Sequence, residues 1–475
     1  MNYEASFAPA AKKTTKYNEH LVRCFTLFIS LFLLSAVPIA VIYTKEWDFF
    51  QNLWRILTSP SKLVTDYFAL GGLGSALFNA AICGLIANAI IYISRVQANA
   101  KTLAGYMLVV AHCFYGLNFF NMWPPFVGVI LFCLVRKKKI RKNIHVAFFA
   151  TALAPFVSEL MFRYPLGINA SAGSSFNWVG LILAIVVGVA VGFVVLPLLP
   201  GTMAMYREYS LYKAGLSIGL MGIFIYAFLY NTLGIESPAT VVIDNPEYYA
   251  LPYGYRGFMN IFFITFFLIT FFIGFGMRKG RIGEYKKLLK CTGYGTDFVD
   301  KFGMPLCLVN IAFYGLAFLA YLNLVFLLPS IFPSLPMGVG FTGPTVGATI
   351  AALTFAGDGQ HPRNVLPVAV GYSFLFFTVL LVCSIFGLNI PWTLSTQAYI
   401  SSLAFATGLC PIAGRYGFKY GVFAGMLSAT ICTVTASMHG GFVLYNGGFN
   451  AGLTALVVIP ILDFYNVKPI RESDE

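Results

Sequence analysis

Fourteen runs of apolar residues, each closed by a short polar stretch, divide the chain almost from end to end. They cover about 22–43, 66–94, 102–118, 121–135, 144–162, 177–199, 210–230, 257–277, 303–328, 340–357, 365–389, 397–412, 417–438 and 442–463. Apolar runs of about 18 or more residues with few charges read as membrane-crossing helices. The pattern therefore predicts an all-α fold, a polytopic transmembrane helix bundle of about 14 segments. The third, fourth, tenth and twelfth runs are short for a span of about 20 residues and are expected as half-helices or re-entrant segments. The first run, Cys24 to Tyr43, is too long for the roughly 7–15-residue core of a cleaved signal peptide and reads as a first span. The expected organisation is a cytoplasmic tail at 1–21, one transmembrane repeat at 22–235, an external loop at 236–256, a second repeat at 257–465 and a cytoplasmic tail at 466–475.

Composition agrees. The 475 residues are 58% hydrophobic and 10% charged, with mean hydropathy +0.77, against about 25% charged in a soluble domain. The net charge of +13 suggests nucleic acid until its placement is considered. With the N-terminus inside, 26 of the 31 Lys and Arg residues fall in inner loops, RKKKIRK (136–142) and RKGRIGEYKKLLK (278–290) among them. Only Lys45, Arg55, Lys62, Arg163 and Arg256 fall outside. Basic residues concentrate on the cytoplasmic side of membrane proteins. Their placement predicts a multi-pass protein of the cell inner membrane with both termini cytoplasmic, and no nucleic-acid partner. The nine cysteines lie mostly inside apolar runs and form no Cys-x-x-Cys, which makes them packing residues. No P-loop, His-Glu-x-x-His or Gly-x-Ser-x-Gly occurs, so no cofactor, metal site or catalytic residue is expected.

The chain carries the marks of a duplication. NAAICGL (79–85) resembles NIAFYGL (310–316), NMWPPFVG (121–128) resembles NVLPVAVG (364–371), ATALAP (150–155) resembles ATGLCP (406–411), and YREYSLYKAGL (206–216) resembles YNGGFNAGL (445–453). The matches are collinear, with offsets of 231, 243, 256 and 237. Seven segments per copy is an odd number, so the two copies are expected in opposite orientations. The loop charges agree for most pairs: RKKKIRK corresponds to the uncharged NIPWTLSTQ (389–397), while the first external loop, with Lys45, Arg55 and Lys62, fits less well. Inverted repeats typify many secondary transporters, with the substrate site near midplane between the copies.

Few polar residues fall in or beside the apolar runs, and these are the candidates. GFTGPTVGAT (340–349) places Pro344 for a first helical turn and Thr342 as its cap. A helix opening there within the membrane, and running to about Gly357, would turn amide donors and the Thr342 and Thr345 hydroxyls toward a polar or anionic solute. Asn79 and Asn310 correspond in the two copies and are candidate substrate-binding residues, or else helix–helix hydrogen-bonding ones; Asn121, which corresponds to Asn364, is a further substrate-binding candidate. Glu159 lies inside a run with Arg163 one turn on, as a functional acid or a plain ion pair. DGQHPRN (358–364) sets Asp358, His361, Arg363 and Asn364 as a gate or proton relay at the inner face, or as a solvated turn. His112 reads as a satisfied buried histidine. The loop HGGFVLYNGGFNAG (439–452) brings His439, Tyr445, Asn446 and Asn450 near the outer face.

HPRNVLPVAVG, ATGLCPIAG and HGGFVLYNGGFNAGL resemble the bacterial membrane family known as domain of unknown function 1576. The resemblance covers nearly the whole chain and implies an inner-membrane protein without an assigned activity. A seven-plus-seven inverted repeat also resembles the nucleobase and anion transporter architecture, whose third and tenth segments are half-helices; the GFTGPT start of the tenth segment suits it, and the third lacks such a start. The expected function is secondary transport of a small polar or anionic solute, not enzymatic catalysis. A small-solute channel and a membrane-embedded enzyme or scaffold are the alternatives. The expected partners are the lipid bilayer and a small-molecule substrate, with a homo-oligomer left open.

Overall fold

The computed structural model describes residues 15–63, 65–164, 176–237, 254–336 and 338–470. Residues 1–14 and 471–475 of the expected tails and most of the expected external loop, 238–253, lie outside the described residues. Every regular element among the described residues is helical.

The first half begins with α1 (Lys16–Thr44), α2 (Phe49–Thr58) and α3 (Tyr67–Ile93). Two short helices follow, α4 (Ala100–His112) and α5 (Trp123–Val135). Next, α6 (Ile140–Ala150) passes through a 3-10 turn, Thr151–Leu153, into α7 (Ala154–Phe162). The half closes with α8 (Trp178–Met205) and α9 (Gly215–Tyr226), which widens into a π-turn at Ala227–Thr232. The second half repeats this order. It runs α10 (Gly254–Met277), the short α11 (Tyr285–Leu288) and α12 (Phe298–Phe302), then α13 (Met304–Ile331), α14 (Gly343–Ala352) and α15 (Pro362–Phe386). It continues with α16 (Gln397–Ala406), a 3-10 turn at Thr407–Leu409, α17 (Cys410–Tyr416), α18 (Phe418–Met438) and α19 (Asn446–Phe464).

Ten helices among the described residues are long and apolar enough to cross a membrane, with α6–α7 counted as one. The four short runs of the sequence are helices too: α4, α5, α14 and α16, of 13, 13, 10 and 10 residues. Pro155 and Pro411 stand in the first turns of α7 and α17. Proline lacks the amide that an unbroken helix needs there, so both helices reset through a 3-10 turn. The pattern gives no warning of α2. It buries Leu53, Ile56 and Leu57 and exposes Phe50 and Trp54, as a short amphipathic helix at an apolar–polar boundary does.

Burial sorts the helices into an inner and an outer set. From Thr102 to His112 every α4 residue is buried, and α14 is buried from Gly343 through Thr349. In contrast, α8 exposes Val179, Ile182 and Val186, α10 exposes Ile261 and Phe272, and α15 exposes Phe374, Phe377 and Leu381. Contiguous apolar surface on this scale suits lipid, not water. The outer helices pack in equivalent pairs: α1 with α3 and α10 with α13, α5 with α8 and α15 with α18. The last two pairs touch through glycine. A Cβ at Gly192 would lie 1.9 Å from the Pro125 carbonyl oxygen, and one at Gly425 would lie 2.2 Å from that of Val368. Backbone approach this close is how helices associate where lipid removes the hydrophobic drive.

Candidate functional site

The short helices α4 and α14 are built alike from different residues. Asn99 caps α4, its Oδ1 accepting from Thr102 N at 3.1 Å. Thr342 caps α14, its Oγ1 accepting from Thr345 N at 3.1 Å. Beyond each helix the chain turns through buried backbone, which needs donors for its free carbonyls. Asn79 Nδ2 donates to the carbonyls of Cys113 and Leu117, both at 2.9 Å. Asn310 Nδ2 donates to those of Ala356 and Gln360, at 2.9 and 2.8 Å. A reciprocal cap follows in each half. Asn118 and Asn121 exchange backbone-to-side-chain bonds at 2.8 and 3.0 Å, and His361 and Asn364 do so at 3.0 and 3.2 Å. Asn121 and Asn364 each also donate to a glycine carbonyl, Gly116 and Gly359, at 2.9 Å.

These bonds tell what four of the sequence candidates do here: Asn79, Asn310, Asn121 and Asn364 tie off backbone at the ends of the short helices. His361 has both ring nitrogens engaged, Nδ1 accepting from Asn364 N and Nε2 placed 3.0 Å from the Cys291 carbonyl oxygen. A neutral ring protonated on Nε2 satisfies both. Helix α14 stops at Ala352, not near Gly357, because Asn310 and the Gln360 side chain, which accepts from Phe355 N, hold the following residues in turns.

The two short helices lie side by side and run in opposite directions. A Cβ at Gly343 would lie 2.3 Å from the Phe114 carbonyl oxygen, one at Gly347 2.4 Å from that of Ala111, and one at Gly357 3.7 Å from Leu103. The equivalent pair α9 and α19 does the same: Gly222 approaches Val443, Gly215 approaches Gly448, and Gly452 approaches Leu216.

At the start of α14 the Thr342 and Thr345 hydroxyls are 3.0 Å apart, and both reach Gln397 Oε1, at 2.7 and 3.1 Å. Gln397 Nε2 donates to Ser401 Oγ. Both threonines are buried and Gln397 is half-buried, so the glutamine is the least buried member of the cluster. Asp66, the cap of α3, accepts from Phe68 N at 2.9 Å and across the halves from Gly343 N at 2.8 Å. The first amide of α14 thus faces a carboxylate of the protein.

At the opposite end of α14, Asp358 is buried and Arg363 exposed. Burial raises the Asp358 carboxyl to about 6, while Lys213 and Lys101 act to lower it. Asp297, which caps α12, is raised by burial and by Asp358 itself. Lys213 also pairs with Glu208 at 2.8 Å. This end of the seam sets Lys101, Glu208 and Lys213 of the first half against Asp297, Asp300 and Asp358 of the second.

Glu159 stands apart from both clusters. Its carboxylate is held by Arg163, through Nε at 2.8 and 2.9 Å and through Nη2, and by the Tyr230 hydroxyl at 2.8 Å. Lys62, 2% exposed, lies with its Nζ 4.6 Å from the centre of the Phe442 ring. Burial lowers its ammonium to about 8, partly offset by Glu159.

Three arrangements carry no sequence signal, although His112 and Asn450 themselves stand out in the sequence. Gln397 completes the threonine cluster from a different run. Tyr372, Ser402, Ser428 and Asn450 form a buried hydroxyl–amide network, with Tyr372 Oη 2.6 Å from Ser402 Oγ and Asn450 Nδ2 donating to both serines. His112 is buried with neither ring nitrogen hydrogen-bonded among the described residues, which corrects the expectation that it is satisfied. Among the described residues no three His, Cys, Asp or Glu side chains are grouped to hold a metal ion.

A family model described as "Protein of unknown function (DUF1576)" matches residues 45–231 and, a second time, 277–464. No curated protein and no solved structure matches the chain.

Proposed function

The chain belongs to the DUF1576 family, and from its two copies of that domain we propose that it is a secondary transporter for a small polar solute. On this reading the copies are seven-segment inverted repeats, the fourteen helical segments form one bundle in the cell inner membrane, and the solute binds where the copies meet. One observation carries the reading: the equivalent short helices α4 and α14 are buried at the seam and run antiparallel. Equivalent helices related by an axis along the membrane normal would run parallel. An axis in the membrane plane reverses them, and that is the arrangement of inverted-repeat transporters. The Thr342–Thr345–Gln397 cluster at the start of α14 supplies hydrogen-bonding groups, and the charged cluster around Asp358 supplies a gate at the other end. Asp66 already faces the first amide of α14, which favours an uncharged solute over an anion at that position.

Counterflow into liposomes containing the purified protein tests the reading. A transporter accumulates labelled solute against its unlabelled excess, and Thr345→Val weakens that uptake. Steady conductance without counterflow would replace the transporter with a channel.

A further inference from the structure

Six helical elements converge on one aromatic cluster. His112 ends α4. Its ring centre lies 5.6 Å from that of Tyr115, 6.5 Å from Phe405 of α16 and 6.2 Å from Tyr445, the residue before α19. Tyr445 in turn lies 5.7 Å from Tyr212, which precedes α9, 5.7 Å from Phe405 and 6.2 Å from Phe149 of α6. Tyr212 reaches α14 by donating to the Ala351 carbonyl at 2.7 Å. Both copies contribute their short helix, their broken helix and the entry to their last helix, so the cluster lies on the seam.

Three polar atoms in this cluster are left over. Both ring nitrogens of His112 and the Tyr445 hydroxyl are buried without a hydrogen-bond partner among the described residues. Leaving such a group buried and unpaired is costly, and a core with no use for them would hold apolar rings instead. The second copy does hold one: the position equivalent to His112, displaced by the same 243 residues that relate Asn121 to Asn364, is Phe355. Phe355 packs edge-on against Tyr212 at 4.7 Å. The geometry has therefore kept one polar and one apolar version of the same position.

Resting on the transporter reading, we infer that His112 and Tyr445 form the recognition site for the solute, and that the solute is a small, uncharged, flat molecule with a hydrogen-bond donor beside an acceptor. The neutral imidazole offers one N–H and one lone pair, and the phenol offers a donor and an acceptor. Tyr115, Phe405, Tyr212 and Phe149 supply ring faces and edges for a planar group. None of these six side chains carries a formal charge with a neutral imidazole, so a carboxylate or an ammonium would be buried there without a counter-charge.

The test uses the full-length protein in detergent, with calorimetric titration of uracil and nicotinamide as neutral planar probes and of benzoate and choline as charged ones. A neutral probe is expected to bind, and the charged ones not. His112→Phe is expected to weaken that binding about tenfold or more, the equivalent of about 1.4 kcal/mol, and Tyr445→Phe to weaken it less. Neither variant should melt at a lower temperature without probe, because each removes an unpaired group. Failure of both neutral probes to bind, tighter binding of benzoate or choline, or full binding by His112→Phe overturns the inference. Counterflow separates it from its premise. Wild-type counterflow undiminished in His112→Phe sinks the site and leaves the transporter. Probe binding that depends on His112 in a protein without counterflow sinks the transporter and leaves the site.

Discussion

The two ends of the seam between α4 and α14 occupy equivalent places and are furnished with opposite chemistry. At one end stand Asp66, Tyr115 and Pro344; at the other stand Asp297, Asp358 and Lys101, the residues at matching positions. The backbone is conserved across the pair: Tyr67 N donates to the Phe114 carbonyl as Phe298 N does to that of Gly357. Only Asp66 and Asp297 share a residue type. Both acids cap a helix, but the first also takes the Gly343 amide of the other half, whereas the second sits among charges contributed by both halves. The lesson is that duplication preserved the part that holds backbone in place and released the side chains around it.

The sharpest way to break this comparison is through orientation. Single cysteines at Lys139 and Lys286 should be labelled only from the cytoplasmic side, and one at Lys45 only from outside, each all-or-none with an impermeant maleimide on intact cells. External labelling at either of the first two ends the inverted arrangement. Thr240, otherwise the natural outer position, lies outside the described residues.

Next in size is the shared backbone support. Asn79→Leu and Asn310→Leu each strand two buried carbonyls, and each should lower stability by about 2–4 kcal/mol, read as a fall in melting temperature in detergent. Equal losses confirm that the two asparagines are equivalent fasteners. A loss of uptake by Asn310→Leu with unchanged melting would instead make Asn310 part of the solute site.

A smaller effect separates the charged end by pH. The Asp358 carboxyl titrates near 6 in the fold and near 3.8 unfolded. The folded chain therefore holds this proton more tightly, and the unfolded chain loses it first as pH rises. The group's contribution to stability falls between about pH 4 and pH 6 and stays low above that. Lys101 and Lys213 oppose the shift, and Glu208 and Asp300 reinforce it. Asp358→Asn should flatten that part of the melting-temperature profile, and Tyr115→Phe should leave it unchanged. An identical slope in all three proteins would remove Asp358 from the titration.

The smallest change is expected at Arg363, which is exposed at the start of α15. Arg363→Ala should shift stability by no more than about 0.5 kcal/mol yet alter the uptake rate more than the half-saturating concentration. A matched change in both would place Arg363 in binding instead of gating.

Much of this was legible before any coordinates. The apolar runs locate the helices because a span must be apolar over its whole length, and Thr342 with Pro344 marks the start of α14 because caps have strong residue preferences. What stayed hidden has a common cause. Asn99 and Thr342 perform one task with different side chains, as do Asn118 and His361, so matching strings cannot pair them. Gln397 and Asp66 act across long separations, where only the fold supplies proximity. The unpartnered state of His112 is a property of what surrounds it, not of the residue. The amphipathic α2 is too short to register against spans twice its length.

The antiparallel seam also bears on how the molecule is assembled. Helix α4 packs on α14 as well as on α3 and α6, and α9 packs on α19 as well as on α8; in both cases one neighbour belongs to the other copy. Neither copy covers every face of its own central helices, so each is an incomplete subunit, closer to one half of an obligate heterodimer than to a domain. A chain cut in two within residues 238–253 leaves two fragments whose most buried helices each lack one packed face without the other. They should be recovered together when coexpressed, and degraded when made apart.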